Sequence, residues 1–192
     1  MQLFLEKYGT LIGMHVLFIQ NNALDESQAL IDLAAFLEAH GHRCTLLLDR
    51  EEADLARSAK EAQPQLILIA CSMLNHWWAR EAASRLQNSL DVPIVMAGPG
   101  PTLYPDLLST SGLSAIIRGE AEAPMLALLD AIQSGAEPQE ITDIPGMYQW
   151  QGDEWLGTAT GDPTPMTSVP VASKDLYYNR YPFMRQFPFK RF

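Results

Sequence analysis

Polar and apolar residues alternate in blocks along the first 135 residues, and five of the blocks are short runs that are apolar without interruption. Continuous apolar runs, without an in-and-out alternation, are typical of parallel strands that helices cover on both faces. The predicted strands are Met14–Gln20, Arg43–Leu48, Gln65–Cys71, Val92–Ala97 and Ser114–Arg118.

The segments between these strands carry apolar residues at helical spacing. We expect Asp25 to cap the first helix and Gly41 to end it. The other predicted helices are Glu51–Ala62, about His76–Leu90, Thr102–Ser109 and about Ala121–Ser134. Alternating strands and helices predict an α/β fold with a doubly wound five-stranded parallel sheet, flavodoxin-like or Rossmann-like, in the order 2-1-3-4-5. That order places a ligand crevice beyond the carboxyl ends of strands one and three.

The pattern changes after Gly135. Two short strands, Ile144–Trp150 and Glu154–Thr158, flank a turn signal and predict a C-terminal β-hairpin. Residues 161–170 contain three prolines and predict a linker, and an extended tail from Lys174 to Phe192 is rich in aromatic and basic residues. We therefore expect three parts: residues 1–135, 136–160 and 161–192. The tail is expected to contact another domain.

Composition narrows the classes of function. The formal net charge is −10, which opposes binding to nucleic acids or to anionic membranes, because phosphate contacts need clustered Lys and Arg. No apolar run approaches the ~20 residues that span a bilayer, and Glu6 and Lys7 interrupt the only apolar segment near the N-terminus. These features predict a cytoplasmic protein in which Cys44 and Cys71 are reduced core residues.

Two loops carry the candidate chemistry. Ser72-Met73-Leu74 follows the third strand, and Gly98-Pro99-Gly100 follows the fourth. The chain has no G-x-G-x-x-G after strand one and no G-x-x-x-x-G-K-[ST], so the usual dinucleotide and triphosphate sites are disfavoured. A response-regulator receiver would need an aspartate after strand three, where Cys71 stands.

These loops resemble those of the cobalamin-binding domain of methionine synthase and methylmalonyl-CoA mutase, whose signature is D-x-H-x-x-G, then S-x-L, then a glycine pair. Ser72-Met73-Leu74 matches S-x-L, and Ala97-Gly98-Pro99-Gly100 approximates the glycine pair. The first motif is absent: Leu24–Ala29 occupies its place, with Glu26 where the cobalt-ligating histidine would stand.

Nearly the whole chain from Met14 resembles the N-terminal domain of cobalamin-dependent radical S-adenosylmethionine enzymes, many of which lack that histidine. The similar segments are LIDLAAFLEAHGH, AGPGPTLYPD, IIRGEAEAPMLALLDAI, IPGMYQWQGDEW and KDLYYNRYPFMRQFPFKRF. The resemblance implies base-off cobalamin binding and a following radical SAM barrel, whose C-x-x-x-C-x-x-C motif holds a [4Fe-4S] cluster and S-adenosylmethionine. This sequence contains no such motif. We expect methyl transfer to a small-molecule substrate in the parent enzyme, and no catalysis by this chain alone.

The resemblance also implies a set of cofactor-binding residues. The corrin would lie over Asn21, Asn22, Leu24 and Glu26, and the nucleotide arm would pass between the two loops, with Gly119 and Glu120 beside its ribose and phosphate. The remaining residues of this set are Ser72, Met73, Leu74, Gly98, Pro99 and Gly100.

Simpler interpretations stay open for several of these residues. Gly98 and Gly100 are also ordinary turn residues, and His76 at a helix start is more often a capping residue than a metal ligand. Two alternative functions remain: a cobalamin-binding sensor or carrier without an attached enzyme, and an interaction domain without a cofactor. A cluster motif downstream would favour the enzyme, and a regulatory domain there would favour the sensor.

Overall fold

A computed structural model of the protein describes residues 13–108, 112–151 and 153–186. Seven strands are present in these ranges: β1 His15–Gln20, β2 Arg43–Leu48, β3 Leu66–Ala70, β4 Ile94–Ala97, β5 Ala115–Ile117, β6 Met147–Gln151 and β7 Glu154–Gly157. The α-helices are α1 Gln28–Ala39, α2 Leu55–Ala62, α3 His76–Gln87, α4 Pro99–Leu103, α5 Glu122–Gln133 and α6 Asp175–Tyr178. None of the described helices is long and apolar enough to cross a bilayer.

All seven strands form one sheet in the order β2-β1-β3-β4-β5-β6-β7. The pairs from β2 to β5 are parallel, whereas β6 and β7 are antiparallel additions at the β5 edge. The α/β class is confirmed, but the sheet is mixed and has seven strands. The predicted hairpin continues the main sheet because Met147 and Tyr148 pair with Ile117 and Ile116.

Helices cover both faces of the sheet. Alternate residues of β1 point to opposite faces, so Val16 and Phe18 pack under α1 and α5, while Leu17 and Ile19 pack under α2 and α3. Both faces of β1 to β5 are largely buried, which explains why these strands are mostly apolar.

Several element boundaries differ from the predicted ones. Ser27, not Asp25, caps α1: its hydroxyl accepts a hydrogen bond from the backbone N–H of Leu30. The short helix after β4 begins at Pro99, three residues earlier than expected, and is followed by a 3-10 turn at Pro105–Leu108. Gly98 precedes it with φ +119°, a conformation that residues with a side chain rarely adopt.

The C-terminal tail packs against the body of the domain. Tyr177, Tyr181 and Met184 are buried in the core on the α1 side of the sheet. The Arg180 guanidinium forms two hydrogen bonds to the Glu52 carboxylate, at 2.7 and 2.8 Å. Residues 174–186 therefore contact this domain itself, and a contact with another domain stays a prediction. The predicted lead-in, residues 1–12, and the tail end, 187–192, lie outside the described residues.

Candidate functional site

A cleft of about 830 Å³ opens at the carboxyl ends of β1, β3 and β4 and at the loop after β5. This is the edge at which doubly wound sheets bind their ligands. Its walls come from the β1–α1, β3–α3, β4–α4 and β5–α5 loops and from the first turns of α1 and α5.

The inner part of the cleft is an apolar slot between the sheet and the helices α1 and α5. The sheet contributes small or aliphatic side chains there, and α1 contributes two leucines. The slot residues are Leu30, Leu33, Leu68, Ala70, Ala97 and Ala121. Such a lining suits a flat, uncharged group and offers little to a strongly hydrated ion.

The outer part of the cleft is also apolar but open to solvent. Leu24, Leu74 and Leu103 line the cleft and are 82%, 97% and 60% exposed. Leu24 lies in the β1–α1 loop, Leu74 in the β3–α3 loop and Leu103 at the end of α4, so three different segments contribute to the mouth of the cleft. Exposed leucines grouped around a cleft indicate that a large ligand or a partner covers them.

The β1–α1 loop is organised from beneath by Gln20. The buried Gln20 side-chain amide donates to the carbonyl oxygens of Asn22 and Asp25, at 2.8 and 2.9 Å. The Tyr177 hydroxyl donates to Gln20 Oε1 and accepts the backbone N–H of Ser27, at 2.5 and 2.9 Å. Two points of this loop are therefore tied to the C-terminal tail.

The β3 and β4 loops contact each other closely. A Cβ on Gly98 would lie 2.6 Å from the carbonyl oxygen of Cys71, and one on Gly100 would lie 2.5 Å from Cys71 Sγ. The two glycines thus allow the loops to approach each other. Cys71 occupies the space that a side chain on either glycine would need. Burial raises the pKa of the Cys71 thiol to about 12, so it is an uncharged packing group.

Thr102 connects the next pair of loops. Its hydroxyl donates to the Gly98 carbonyl oxygen at 2.8 Å and accepts the Gly119 N–H at 3.0 Å. Nearby, the backbone N–H of Ser72 donates to Asn75 Oδ1 at 2.7 Å, which holds the β3 loop closed. The Ser72 hydroxyl has no hydrogen-bond partner among the described residues.

Most of the residues predicted for the site lie together in this cleft. The nine that line it are Asn21, Asn22, Leu24, Ser72, Leu74, Gly98, Pro99, Gly119 and Glu120. Glu26, Met73 and Gly100 do not line it. The Glu26 side chain is 5% exposed, and one of its oxygens lies 2.9 Å from Lys174 Nζ in the tail. Glu26 thus contacts the tail instead of the cleft.

Two buried oxygen atoms in the cleft wall have no hydrogen-bond partner among the described residues: Asn21 Oδ1 and Glu122 Oε2. Burial and the charges of Glu120 and Asp32 raise the pKa of the Glu122 carboxyl above its ordinary value, although hydrogen bonds from the backbone of Glu122 and Ala121 to this carboxyl act in the opposite direction. Buried acceptors are rarely left unpaired in proteins, so both atoms indicate hydrogen-bond donors on a ligand.

The chain's four histidines all lie among the described residues, and none lines the cleft. His15 Nε2 pairs with Thr45 Oγ1 at 2.7 Å, and His42 Nδ1 accepts the Met14 N–H at 3.2 Å. His76 Nδ1 lies 2.8 Å from the Met73 carbonyl oxygen, and Asn75, not His76, is the N-cap residue of α3. The described residues contain no group of three or more His, Cys, Asp or Glu side chains that could hold a metal ion.

The cleft lining is acidic and lacks positive charge. Asp25, Glu120 and Glu122 contribute carboxyl groups, and no Lys, Arg or His among the described residues lines it. A polyphosphate would be repelled here. The lining therefore favours a large ligand that is not a polyanion.

Sequence reasoning missed Gln20, Thr102, Glu122 and Tyr177. Thr102 and Glu122 stand within segments that carried the resemblance, so the sequence could have pointed to them as site residues. Their contacts could not be predicted from the sequence. No local signal marks Tyr177, which lies 157 residues from its partner Gln20.

The fold and the cleft define a doubly wound α/β domain that binds a large ligand at the carboxyl edge of its sheet. The model of the B12 binding domain family matches residues 29–129, which is 101 of the 192 residues. The chain belongs to this family.

Solved structures with a similar fold include two of the radical S-adenosylmethionine methyltransferase TsrM from Kitasatospora setae. The one with cobalamin and a [4Fe-4S] cluster bound is 19% identical, has a TM-score of 0.66 and covers 85% of this chain. The one with tryptophan substrate and a SAM analogue is 19% identical, has a TM-score of 0.65 and covers 79% of this chain. This chain spans 32% and 31% of the length of those proteins. A comparison with curated proteins gives no match.

Proposed function

We propose that this chain binds cobalamin in the cleft, base-off and without a histidine ligand to cobalt, as the N-terminal domain of a radical S-adenosylmethionine enzyme. The observation that carries the proposal is the combination of an apolar slot with a wide mouth surrounded by exposed leucines, in a member of the B12 binding domain family. Cobalamin has a matching shape, since a broad corrin ring carries a nucleotide arm that ends in a flat aromatic base.

The residues present fit this cofactor. The slot suits the base, and the Ser72 hydroxyl offers a hydrogen bond to one of its ring nitrogens. The corrin lies over the β1–α1 loop, where Asn21 and Asn22 face its peripheral amides and Leu24 contacts the ring. Leu74 and Pro99 contact the other side of the mouth, and Gly119 and Glu120 border the ribose and phosphate. Gly100 and Glu26 support these loops from outside the cleft, and Met73 does not line it.

Cobalt coordination is the second element of the proposal. All four histidines lie away from the cleft, and the Glu26 carboxylate is paired with Lys174. The face of the corrin that lies on the protein therefore receives no imidazole from this chain. When bound, cobalamin supplies a cobalt centre that can carry a methyl group, and the domain's residues hold it in place.

The domain is proposed to be one part of a larger enzyme. Residues 1–135 form the cobalamin-binding part, residues 136–160 form the hairpin, and residues 161–192 lead to a radical SAM barrel that acts on a small-molecule substrate, for methyl transfer. The fold shared with TsrM and the segments quoted above support this proposal. The [4Fe-4S] cluster and S-adenosylmethionine belong to that barrel. A downstream coding sequence without C-x-x-x-C-x-x-C would contradict it. The cytoplasmic location stays a prediction.

Retention of a corrin tests the binding proposal. The protein is mixed with hydroxocobalamin and desalted, and the corrin absorbance that stays with it is measured. We expect retention by the native chain and by Ala39→Trp, and loss in Ala29→Trp. Both alanines are exposed residues of α1, but only Ala29 lines the cleft. A native chain that elutes without corrin would overturn the proposal.

Electron paramagnetic resonance tests the coordination of cobalt. After reduction of the bound cofactor to its Co(II) form, a nitrogen ligand on the axis would split each cobalt line into three. We expect no such splitting. Its presence would show that the cofactor's own base, or a histidine, binds cobalt.

A further inference from the structure

Glu122 is a residue of the cleft to which the resemblance gave no role. It is the first residue of α5, and its Oε2 atom is buried with no hydrogen-bond partner among the described residues. An unpaired buried carboxylate oxygen costs more free energy than an unpaired neutral group, so a free cleft is an unfavourable environment for it. A donor from a bound ligand would remove that cost.

The position of Glu122 defines which part of a ligand it can reach. Asp32 of α1 acts on the Glu122 carboxyl through its charge, so the carboxyl lies on the side of the sheet that α1 and α5 cover. The apolar slot runs between these two helices and the sheet. Glu122 therefore faces the part of the ligand that enters the slot.

The second unpaired oxygen, Asn21 Oδ1, lies elsewhere in the cleft. Asn21 follows β1 and Glu122 follows β5, and three strand spacings, roughly 14 Å, separate these strands in the sheet. Two donors at separate points of one large ligand can satisfy both acceptors.

We propose that Glu122 Oε2 accepts a hydrogen bond from a hydroxyl group on the nucleotide arm of the bound corrinoid, and thereby makes the domain select cobalamin over corrinoids that lack this arm. This inference rests on the proposed cobalamin binding and adds a specificity-determining residue to it. Ribose hydroxyls on the arm are the donors of suitable chemistry, since the phosphate carries none. Asn21 accepts a hydrogen bond from the part of the ligand outside the slot. Both kinds of corrinoid share that part.

The experiment compares two ligands and five proteins. Hydroxocobalamin carries the nucleotide arm, whereas dicyanocobinamide retains the corrin and its amides but lacks the arm. Dissociation constants for both are measured with the native chain, Glu122→Gln, Glu122→Leu, Asn21→Ala and Asp130→Asn. Asp130→Asn is the matched control, because Asp130 is an exposed acid on the same helix and does not line the cleft.

We expect Glu122→Leu to weaken cobalamin binding by roughly tenfold or more, since it removes a hydrogen bond to a charged acceptor. Glu122→Gln retains a neutral acceptor and should lose less. Binding of cobinamide should change less than twofold in both Glu122 variants, roughly the scatter expected away from a contact. Asn21→Ala should weaken both ligands, and Asp130→Asn neither.

Two results would overturn the inference while leaving cobalamin binding intact. One is native affinity for cobalamin in Glu122→Leu. The other is an equal loss for cobinamide, which would place the contact on the corrin. If the native chain binds neither corrinoid, the proposed function fails first and the inference with it. Circular dichroism spectra that match the native chain establish that the variants are folded.

Discussion

The phenolic oxygen of Tyr177 lies 2.5 Å from Oε1 of Gln20, a residue 157 positions earlier in the chain. Gln20 in turn holds the loop over which the corrin is proposed to lie, through the carbonyl oxygens of Asn22 and Asp25. The C-terminal tail is therefore part of the structure that supports the cleft.

Removal of the Tyr177 hydroxyl should destabilise the domain. Tyr177→Phe leaves Gln20 Oε1 and the Ser27 N–H without their partner, and we expect a loss of about 1–3 kcal/mol in the free energy of unfolding. Urea denaturation measures it. Tyr148→Phe is the control, since the Tyr148 ring contacts Arg118 but its hydroxyl makes no hydrogen bond to the described residues. Equal stability of the two variants would mean that the tail contact contributes nothing.

The contact between the tail and Glu52 should also stabilise the domain to a degree that depends on pH. Hydrogen bonds from Arg180, Tyr181 and Ser58 lower the pKa of the Glu52 carboxyl to about 2. The folded state therefore favours the ionised form. This contribution is complete above the ordinary pKa of about 4.5 and is lost as the pH falls towards about 2.

Glu52→Gln measures this contribution. Because the Arg180 side chain is half exposed, we expect the variant to lose only about 1 kcal/mol at pH 7. The difference from the native chain should shrink steadily below pH 4.5. Glu61→Gln serves for comparison, since Glu61 pairs with Arg57 on the surface and both side chains are exposed, so its effect should be near zero. A constant Glu52→Gln deficit across this pH range would contradict the assignment.

The close contact between the β3 and β4 loops predicts a large cost for a side chain at Gly98. Gly98→Ala adds a Cβ 2.6 Å from the Cys71 carbonyl oxygen at φ +119°, and we expect a loss of more than about 2 kcal/mol in thermal or urea denaturation. Gly135→Ala separates the cost of the positive φ from the cost of the close contact. Gly135 has φ +93° with open space around its Cβ position, so its variant should lose only about 1–2 kcal/mol. Equal losses would show that Cys71 moves aside easily.

The carboxyl of Glu122 has an unpaired Oε2 atom, so its substitution should increase the stability of the domain. Its pKa is raised in the folded chain, so the folded state favours the protonated form, and stability is lost as the pH rises through the folded pKa. Without cofactor, Glu122→Gln should therefore be at least as stable as the native chain at pH 7. This advantage should vanish below the ordinary pKa of about 4.5. A less stable Glu122→Gln at pH 7 would indicate a structural role for the carboxyl.

Much of the fold could be predicted because strands and helices leave local patterns. Five apolar runs located β1 to β5 within two residues at each end, and the turn residues after them located the loops that line the cleft. Gly98 and Gly100 were predicted as site residues, but their contact with Cys71 could not be predicted. The nearest neighbour of Gly98 and Gly100 is Cys71, and a sequence does not show which loop a glycine approaches.

The sequence by itself determined the α/β class, the two loops at the carboxyl edge of the sheet and the absence of a histidine at the place of the cobalt ligand, because each depends on neighbouring residues or on a motif. Only the tertiary structure decided that the hairpin extends the sheet, that Tyr177 holds Gln20, and that Glu122 keeps an unpaired oxygen in the cleft. These features depend on contacts between residues far apart in the chain. Whether a buried polar atom has a partner is known only when every neighbour is in place.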